Sequence, residues 1–254
     1  MQGTPPPSFD TPPALRRSLC GDAAPALLKR LAGPPGLAAF DADGTLWDGD
    51  LGEAVLQALI ARGELVSPPP DPWGEYVRRV RRDPHEGFAY AGRLMAGLSE
   101  RRVRELSGVL YADRFAPAVF AEARWLLAFL HEHGWDVYLV SASNRWSIEV
   151  AAEALGVAQG RVCALDLDVA QGVITDRVRL PVPTLDGKPA LLRTAAGRAP
   201  DLAFGNSVLD LPLLRAAVLP VAVGLLRSVG RPRNQFLVQA ARRGWARIEI
   251  PAAP

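Results

Sequence analysis

The chain contains little cysteine, so chemistry built on thiols is not expected. Its 254 residues include two cysteines, Cys20 and Cys163, and neither belongs to a CxxC pair or to a metal-ligand spacing. This usage argues against a disulfide framework. A reducing, cytoplasmic location is the corresponding expectation.

The chain also lacks a strong net charge and a long apolar run. The 29 basic and 27 acidic residues leave a formal charge of +2, so no overall field attracts nucleic acid or anionic lipid. No window approaches the ~18–20 uninterrupted apolar residues of a membrane helix. Residues 1–22 are rich in proline and lack the pattern of a secretory signal. We therefore expect no nucleic-acid or membrane partner, and a flexible tail at 1–22.

What is present is an alternation of short apolar runs with segments of helical spacing. The apolar runs are "LAAFDAD", "WDVYLVSAS", "PDLAFGNS", "LPVAVG" and "ARIEI". Such alternation predicts an α/β fold, a Rossmann-like doubly wound and mostly parallel sheet with helices on both faces. A composition of 49% hydrophobic and 22% charged residues is ordinary for a globular enzyme.

The first two predicted strands are separated by about ninety residues that show no strand pattern. A strand-helix-strand unit needs only ~30 residues, and the surplus has apolar residues at spacings of three and four. We interpret residues 50–115 as an inserted helical cap domain, with the core domain formed by 23–49 and 116–254.

Polar residues follow three of the predicted strands, at the point where each strand ends. Asp41 and Asp43 follow the first strand, Ser141 ends the second, and Asn206 follows a later one, with Lys188 between the last two. The carboxyl ends of parallel strands meet at one sheet edge. Carboxylates suit Mg²⁺, and a hydroxyl with an ammonium suits phosphate oxygens. This combination favours phosphoryl transfer.

In order and spacing these motifs resemble the four motifs of the haloacid dehalogenase superfamily, over residues 37–224. The matching residues are Asp41, Asp43, Gly44 and Thr45 for the first motif, Ser141 for the second, Lys188 for the third, and Gly205, Asn206, Ser207 and Asp210 for the fourth. Family members often have aspartate where Asn206 stands, so weaker metal binding is expected. Taken singly, each motif also fits a turn, a helix cap or a surface lysine.

The resemblance implies a role for each of these residues. Asp41 would attack phosphorus and form an aspartyl phosphate, and Asp43 would act as general acid and base. Ser141 and Lys188 would bind the phosphate. The metal set would be Asp41, Asp43 through its backbone carbonyl, Asn206 and Asp210, with Mg²⁺ as cofactor. An acid at Asp43 favours phosphate esters over haloacids.

The insert resembles the cap of the phosphoserine phosphatase branch, which selects the substrate. An acidic residue nine positions after the nucleophile contacts the substrate amine in that branch, and Asp50 stands at this offset. With Trp47 nearby, Asp50 could hold an ammonium group, and Arg93 could pair with a substrate carboxylate. These residues favour phosphoserine, phosphocholine or phosphoethanolamine. The alternative is that Asp50 only caps the first helix of the insert.

The sequence thus predicts a Mg²⁺-dependent phosphatase that hydrolyses a small-molecule phosphate ester through an aspartyl phosphate. One alternative is a phosphotransferase or mutase that uses the same intermediate. Another is a catalytically silent phosphate-binding protein, which the asparagine at Asn206 motivates. The expected oligomeric state is a monomer or a homodimer.

Overall fold

The computed structural model describes residues 13–226 and 234–251. The strands are β1 (Leu19–Cys20), β2 (Leu37–Phe40), β3 (Asp136–Asn144), β4 (Val162–Leu165), β5 (Leu167–Ala170), β6 (Val173–Val178), β7 (Leu202–Gly205), β8 (Leu219–Leu226) and β9 (Ala246–Pro251). The helices are α1 (Pro13–Ser18), α2 (Ala24–Leu31), α3 (Leu51–Ala61), α4 (Pro72–Arg82), α5 (Pro84–Arg93), α6 (Glu100–Leu110), α7 (Ala121–Glu132), α8 (Arg145–Ala154), α9 (Gly187–Ala196), α10 (Leu211–Ala216) and α11 (Gln235–Arg242). Within the described ranges no helix has the length and apolar character needed to cross a bilayer.

Seven strands form one sheet in the order β1-β9-β8-β7-β2-β3-β4. Every neighbouring pair is parallel except β1 with β9. The chain order reverses at β2, which lies between β7 and β3, and ligands of doubly wound sheets bind at such a reversal. The predicted Rossmann-like α/β class is confirmed.

The strands are apolar on both faces because helices cover both. Leu37 and Ala39 of β2 pack with the cluster that includes Leu192 of α9. Ala38 and Phe40 point to the opposite face and join the larger cluster. Successive side chains of a strand alternate between the two faces of the sheet. The continuous apolar run in the sequence therefore indicates a strand that is buried on both faces.

The segment between β2 and β3 is helical, as its spacing predicted. It contains α3, α4, α5, α6 and α7 and one π-helical turn, Tyr111–Phe115. The hairpin of β5 and β6, whose turn is formed by Gln171 and Gly172, packs against this segment. The Gly97 amide donates to the Ile174 carbonyl at 2.8 Å, and the Ile174 amide donates to the Leu98 carbonyl at 2.9 Å, so the hairpin is bonded to the turn between α5 and α6.

The segment before α2 differs from the flexible tail expected for residues 1–22. Residues 1–12 lie outside the described part of the chain, but Pro13 onwards forms α1 and β1. Leu15 is fully buried, and Leu19 pairs with Ile248 of β9. The tail prediction is therefore wrong for residues 13–22, because apolar burial and strand pairing outweigh the local proline content.

Candidate active site

The polar residues predicted at the strand ends lie together at the reversal point of the sheet. Asp41 follows β2 directly, and its amide donates to the Phe204 carbonyl of β7 at 2.9 Å. Asn206 follows β7. Ser141 lies on β3, where the pairing with β4 shifts register between Ser141 and Asn144. The polar residues of the neighbouring strands β7, β2 and β3 thus lie at one edge of the sheet.

Asp41 is held by two donors. Its Oδ1 accepts from Lys188 Nζ at 2.6 Å, and its Oδ2 accepts from Thr45 Oγ1 at 2.7 Å. The same Lys188 Nζ donates to Asp210 Oδ1 at 2.5 Å. All three charged groups are buried. One ammonium therefore holds two carboxylates at a single point.

Asp210 also fixes the loop that follows β7. Its Oδ2 accepts from the Asn206 amide, the Ser207 amide and the Ser207 hydroxyl, each at 3.0 Å. These three bonds engage one carboxylate oxygen and leave Oδ1 for Lys188. The loop that carries Asn206 is thereby positioned by the acid itself.

Gly44 is required by the turn after Asp43 for two reasons. Its φ is +75°, which lies in the left-handed region that disfavours side chains. A Cβ at this position would also lie 1.9 Å from Nδ2 of Asn206. The Asn206 amide therefore lies directly against the Gly44 backbone, which links the first motif to the fourth.

Asp43 is oriented by donors from three different elements. Its Oδ1 accepts from the Leu51 amide at 2.7 Å and from the Trp47 indole Nε1 at 3.0 Å. Its Oδ2 accepts from Ser143 Oγ at 2.7 Å, and Ser141 Oγ lies farther away at 3.5 Å. The carboxyl group of Asp43 is therefore fixed in place before any ligand binds.

The site concentrates negative charge in a place with little water. Burial and then the charge of Asp210 raise the pKa of Asp41 to about 7, although Lys188 and Thr45 act in the opposite direction. Burial also raises the pKa of Asp43. For Lys188 burial lowers the pKa, but the charges of Asp210 and Asp41 outweigh it and the net shift is upward. The carboxylates thus favour additional positive charge.

Protein freed of divalent cations should lose stability as the pH rises. A carboxyl whose pKa moves from 3.8 to about 7 on folding binds more protons in the folded state between those values. We therefore expect the free energy of unfolding to fall across that window, by up to ~1.4 kcal/mol per pH unit. Urea unfolding of chelated protein at a series of pH values measures the slope. Asp41→Asn should show a smaller slope, and equal slopes would place the titration elsewhere.

A cavity of about 270 Å³ opens on this cluster. Seven of the residues predicted for the site line it: Asp41, Asp43, Asp50, Ser141, Lys188, Asn206 and Asp210. Its walls also include residues that the sequence analysis missed: Glu53, Tyr76, Val80, Phe88, Ser143 and Thr184. The Thr184 hydroxyl is buried and has no hydrogen-bond partner within the described part of the chain.

Two residues predicted to select the substrate do not line this cavity. Trp47 is fully buried and packs edge-on against Tyr111, with ring centroids 6.0 Å apart. Its indole donates to Asp43, so it positions that acid instead of meeting a ligand. The side chain of Arg93 is 43% exposed and pairs with Glu86 at 3.3 Å. The substrate-contact prediction is therefore not supported for Trp47 and Arg93.

Asp50 caps the first helix of the insert and also lies in the wall of the cavity. Its Oδ1 accepts from the Glu53 amide at 2.7 Å, which caps α3. It also lines the cavity. The sequence offered one signal for Glu53, since an acid three residues after a cap is a capping-box pattern, but it offered none for Tyr76.

The oxygen donors at the strand ends fit a magnesium ion. They are the carboxylates of Asp41 and Asp210, the side-chain amide of Asn206 and the backbone carbonyl of Asp43. Mg²⁺ usually takes one or two carboxylates together with waters and substrate phosphate. Across residues 13–226 and 234–251 no group of three or more His, Cys, Asp or Glu side chains is arranged as a metal cage. The protein thus offers part of a coordination shell. The buried carboxylates of Asp41 and Asp210 repel each other, and this repulsion favours a cation in addition to the ammonium of Lys188.

A family model for haloacid dehalogenase-like hydrolases matches residues 38–215. The chain belongs to this family.

Two curated relatives share part of this sequence. The "Inhibition of morphological differentiation protein" of Streptomyces azureus is 30% identical over 167 residues, which are 64% of this chain and 57% of that protein. A probable phosphatase of Mycobacterium tuberculosis is 31% identical over 156 residues, which are 60% of this chain and 51% of that protein. The matched part is therefore only about half the length of each relative.

Solved structures share the fold at lower identity. A protein of unknown function from Bordetella pertussis Tohama I has a TM-score of 0.68 at 22% identity, over 85% of this chain and 99% of that one. A substrate-bound phosphoserine phosphatase has a TM-score of 0.55 at 18% identity, over 75% of this chain and 87% of that one. The architecture is thus shared with these proteins.

Proposed function

We propose that this protein is a Mg²⁺-dependent phosphatase that hydrolyses a small-molecule phosphomonoester through an aspartyl phosphate on Asp41. The observation that carries the proposal is the meeting of Asp41, Lys188 and Asp210 at the floor of a cavity, beside an independently oriented Asp43. The nucleophile Asp41, the ammonium of Lys188 and the acid Asp43 then lie within reach of one phosphoryl group.

Asp41 supplies the nucleophile in this proposal. A carboxylate oxygen attacks phosphorus, the ester P–O bond breaks, and an acyl phosphate forms, which divides one displacement into two. Lys188 reduces the repulsion between the carboxylate and the phosphate dianion, and Ser141 offers its hydroxyl to a phosphate oxygen. A magnesium ion bound by Asp41, Asp210, Asn206 and the Asp43 carbonyl would neutralise charge on the transferring group.

Asp43 supplies the proton that the leaving alcohol needs. In its protonated form it donates to the departing ester oxygen, and as a carboxylate it then takes a proton from the water that cleaves the acyl phosphate. Its raised pKa favours the protonated form at the start. The bonds from Leu51, Trp47 and Ser143 keep the carboxyl group from rotating between these steps.

The size and charge of the cavity support a small substrate. About 270 Å³ accommodates a phosphate and a short leaving group. Asp50 adds an acid to the wall, so an amine-bearing ester such as phosphoserine, phosphocholine or phosphoethanolamine remains the preferred class.

Release of nitrophenol from p-nitrophenyl phosphate tests the proposal. We expect turnover with Mg²⁺ and its loss on chelation, with recovery when Mg²⁺ is restored. Added acceptor alcohols that capture most of the phosphoryl group would favour a phosphotransferase. Binding of inorganic phosphate without turnover of any phosphomonoester would favour a catalytically silent protein.

The asparagine in the fourth motif should set the metal requirement. Asn206→Asp exchanges a neutral oxygen donor for a carboxylate beside Asp41 and Asp210, so the Mg²⁺ concentration for half-maximal activity should fall several-fold. A magnesium titration of activity measures this. Asn234→Asp, at the cap of α11, is the matched control and should leave the requirement unchanged. An unchanged requirement in Asn206→Asp would remove this residue from the metal site.

A further inference from the structure

The wall of the cavity has two parts, a first end formed by the predicted site residues of the core and a second end formed by acidic and aromatic residues. Asp50 is the N-cap of α3 and Glu53 lies in its first turn, Tyr76 and Val80 belong to α4, and Phe88 belongs to α5. These residues belong to the helical insert, whereas Asp41 and Lys188 belong to the core. A leaving group attached to the phosphate would therefore meet the second end.

A small second pocket adjoins this second end. A partly open space of about 20 Å³, room for about one water molecule, shares Asp50, Glu53, Tyr76 and Phe88 as walls and adds Leu56 and Met95. The rings of Tyr76 and Phe88 meet edge to face, with centroids 6.3 Å apart. Aromatic rings beside an acid suit a cationic group.

Glu53 is an acid without a basic partner. Its Oε1 accepts from the Tyr76 hydroxyl at 3.0 Å, and no salt bridge joins it to a lysine or arginine in the part of the chain that the structure describes. Burial raises the pKa of its carboxyl group. A carboxylate removed from water is stabilised by a paired positive charge, and no described side chain supplies one.

The charges of the cavity also disfavour a second negative group on the substrate. Among the described residues Lys188 is the one basic residue in the wall, and it is already bonded to Asp41 and Asp210. Arg93, the residue expected to pair with a substrate carboxylate, lies outside and pairs with Glu86. A carboxylate on the leaving group would face Asp50 and Glu53.

We propose that the leaving group is a cationic amino alcohol without a carboxylate, and that Glu53 and Tyr76 hold its nitrogen. The proposal rests on the phosphatase function proposed above and narrows its substrate class. Phosphoethanolamine and phosphocholine belong to this class, and phosphoserine does not. Glu53 contacts the cation through charge, and the ring of Tyr76 contacts it through its face.

Turnover of matched esters tests the substrate class. Phosphoethanolamine and phosphoserine differ by one carboxylate, and we expect kcat/KM to be at least ~100-fold higher for phosphoethanolamine because like charges in a buried site repel. Glycerol 3-phosphate provides an ester whose leaving group is neutral. In Glu53→Gln the ratio of kcat/KM for phosphoethanolamine to that for glycerol 3-phosphate should fall about 10-fold.

The ratio of the two kcat/KM values shows whether Glu53 recognises the cation or has only a structural role. The Glu53–Tyr76 bond joins α3 to α4, and a purely structural role would lower both rates together and leave the ratio unchanged. Glu105→Gln, at an exposed glutamate of α6 that pairs with Arg101, is the matched control and should keep the wild-type ratio.

Binding distinguishes failure of this inference from failure of the proposed function. Calorimetry on Asp41→Asn protein with Mg²⁺ should give tighter binding of phosphoethanolamine than of phosphoserine. Turnover without preference for cationic esters, or an unchanged ratio in Glu53→Gln, would overturn the inference and leave the phosphatase intact. Preferential binding of phosphoethanolamine by a protein that hydrolyses no ester would support recognition by Glu53 and overturn the phosphatase. Equal binding of both esters would overturn the inference.

Discussion

Asp41→Asn should lower kcat for every phosphomonoester by at least ~10⁴-fold, because it removes the proposed nucleophile on which both steps depend. The substitution keeps the shape of the side chain and leaves the bond between Lys188 and Asp210 in place. Steady-state kinetics with p-nitrophenyl phosphate and saturating Mg²⁺ measure the loss. Thermal unfolding establishes that the variant is folded.

Two further variants make this expectation specific. Asp43→Asn should lower kcat by ~10²–10⁴-fold, the usual contribution of a general acid and base. Asp48→Asn makes the same chemical change at an exposed aspartate of the same loop and should retain wild-type kcat. Loss of activity in Asp48→Asn equal to that in Asp41→Asn would attribute the effect to the loop and not to the nucleophile.

Lys188→Met should cost ~3–5 kcal/mol of unfolding free energy in metal-free buffer, because it leaves two buried carboxylates without their cation. Lys188 is 2% exposed, and both of its bonds go to Asp41 and Asp210. Added Mg²⁺ should recover part of the loss, because a divalent cation compensates the same charges. Urea unfolding with and without Mg²⁺ measures both effects.

The exposed lysine of α2 provides the control. Lys29→Met should change the unfolding free energy by less than ~0.5 kcal/mol. Asp210→Asn in the Lys188→Met background should restore stability, because it removes one of the two uncompensated charges. A Lys188→Met protein as stable as wild type at neutral pH would contradict the charge balance derived for the site.

The floor of the site could be predicted because its residues follow strands. Asp41 ends a run that is apolar on both faces, and Asn206 ends another, so the parallel sheet alone places them at one edge. Lys188 was identified through the order of the motifs, and it now bonds to both acids. Strand periodicity and chain order carry this information in the sequence.

The walls of the site depend on how the inserted helices pack, which periodicity does not specify. Trp47 lies four residues after Asp43, and the turn folds its indole inward onto that acid. Arg93 lies on the side of α5 that pairs with Glu86. Glu53 and Tyr76 are 23 residues apart and meet only when α3 and α4 pack. No local sequence pattern predicts where these four side chains point.

Rapid acid quench of the protein during turnover, followed by peptide mapping, tests the central chemical claim most directly. We expect a phosphoryl group on the peptide that contains Asp41, labile to hydroxylamine as an acyl phosphate is, and absent in Asp41→Asn. Sustained hydrolysis of phosphomonoesters with no phosphoryl group on Asp41, together with undiminished turnover by Asp41→Asn, would contradict it.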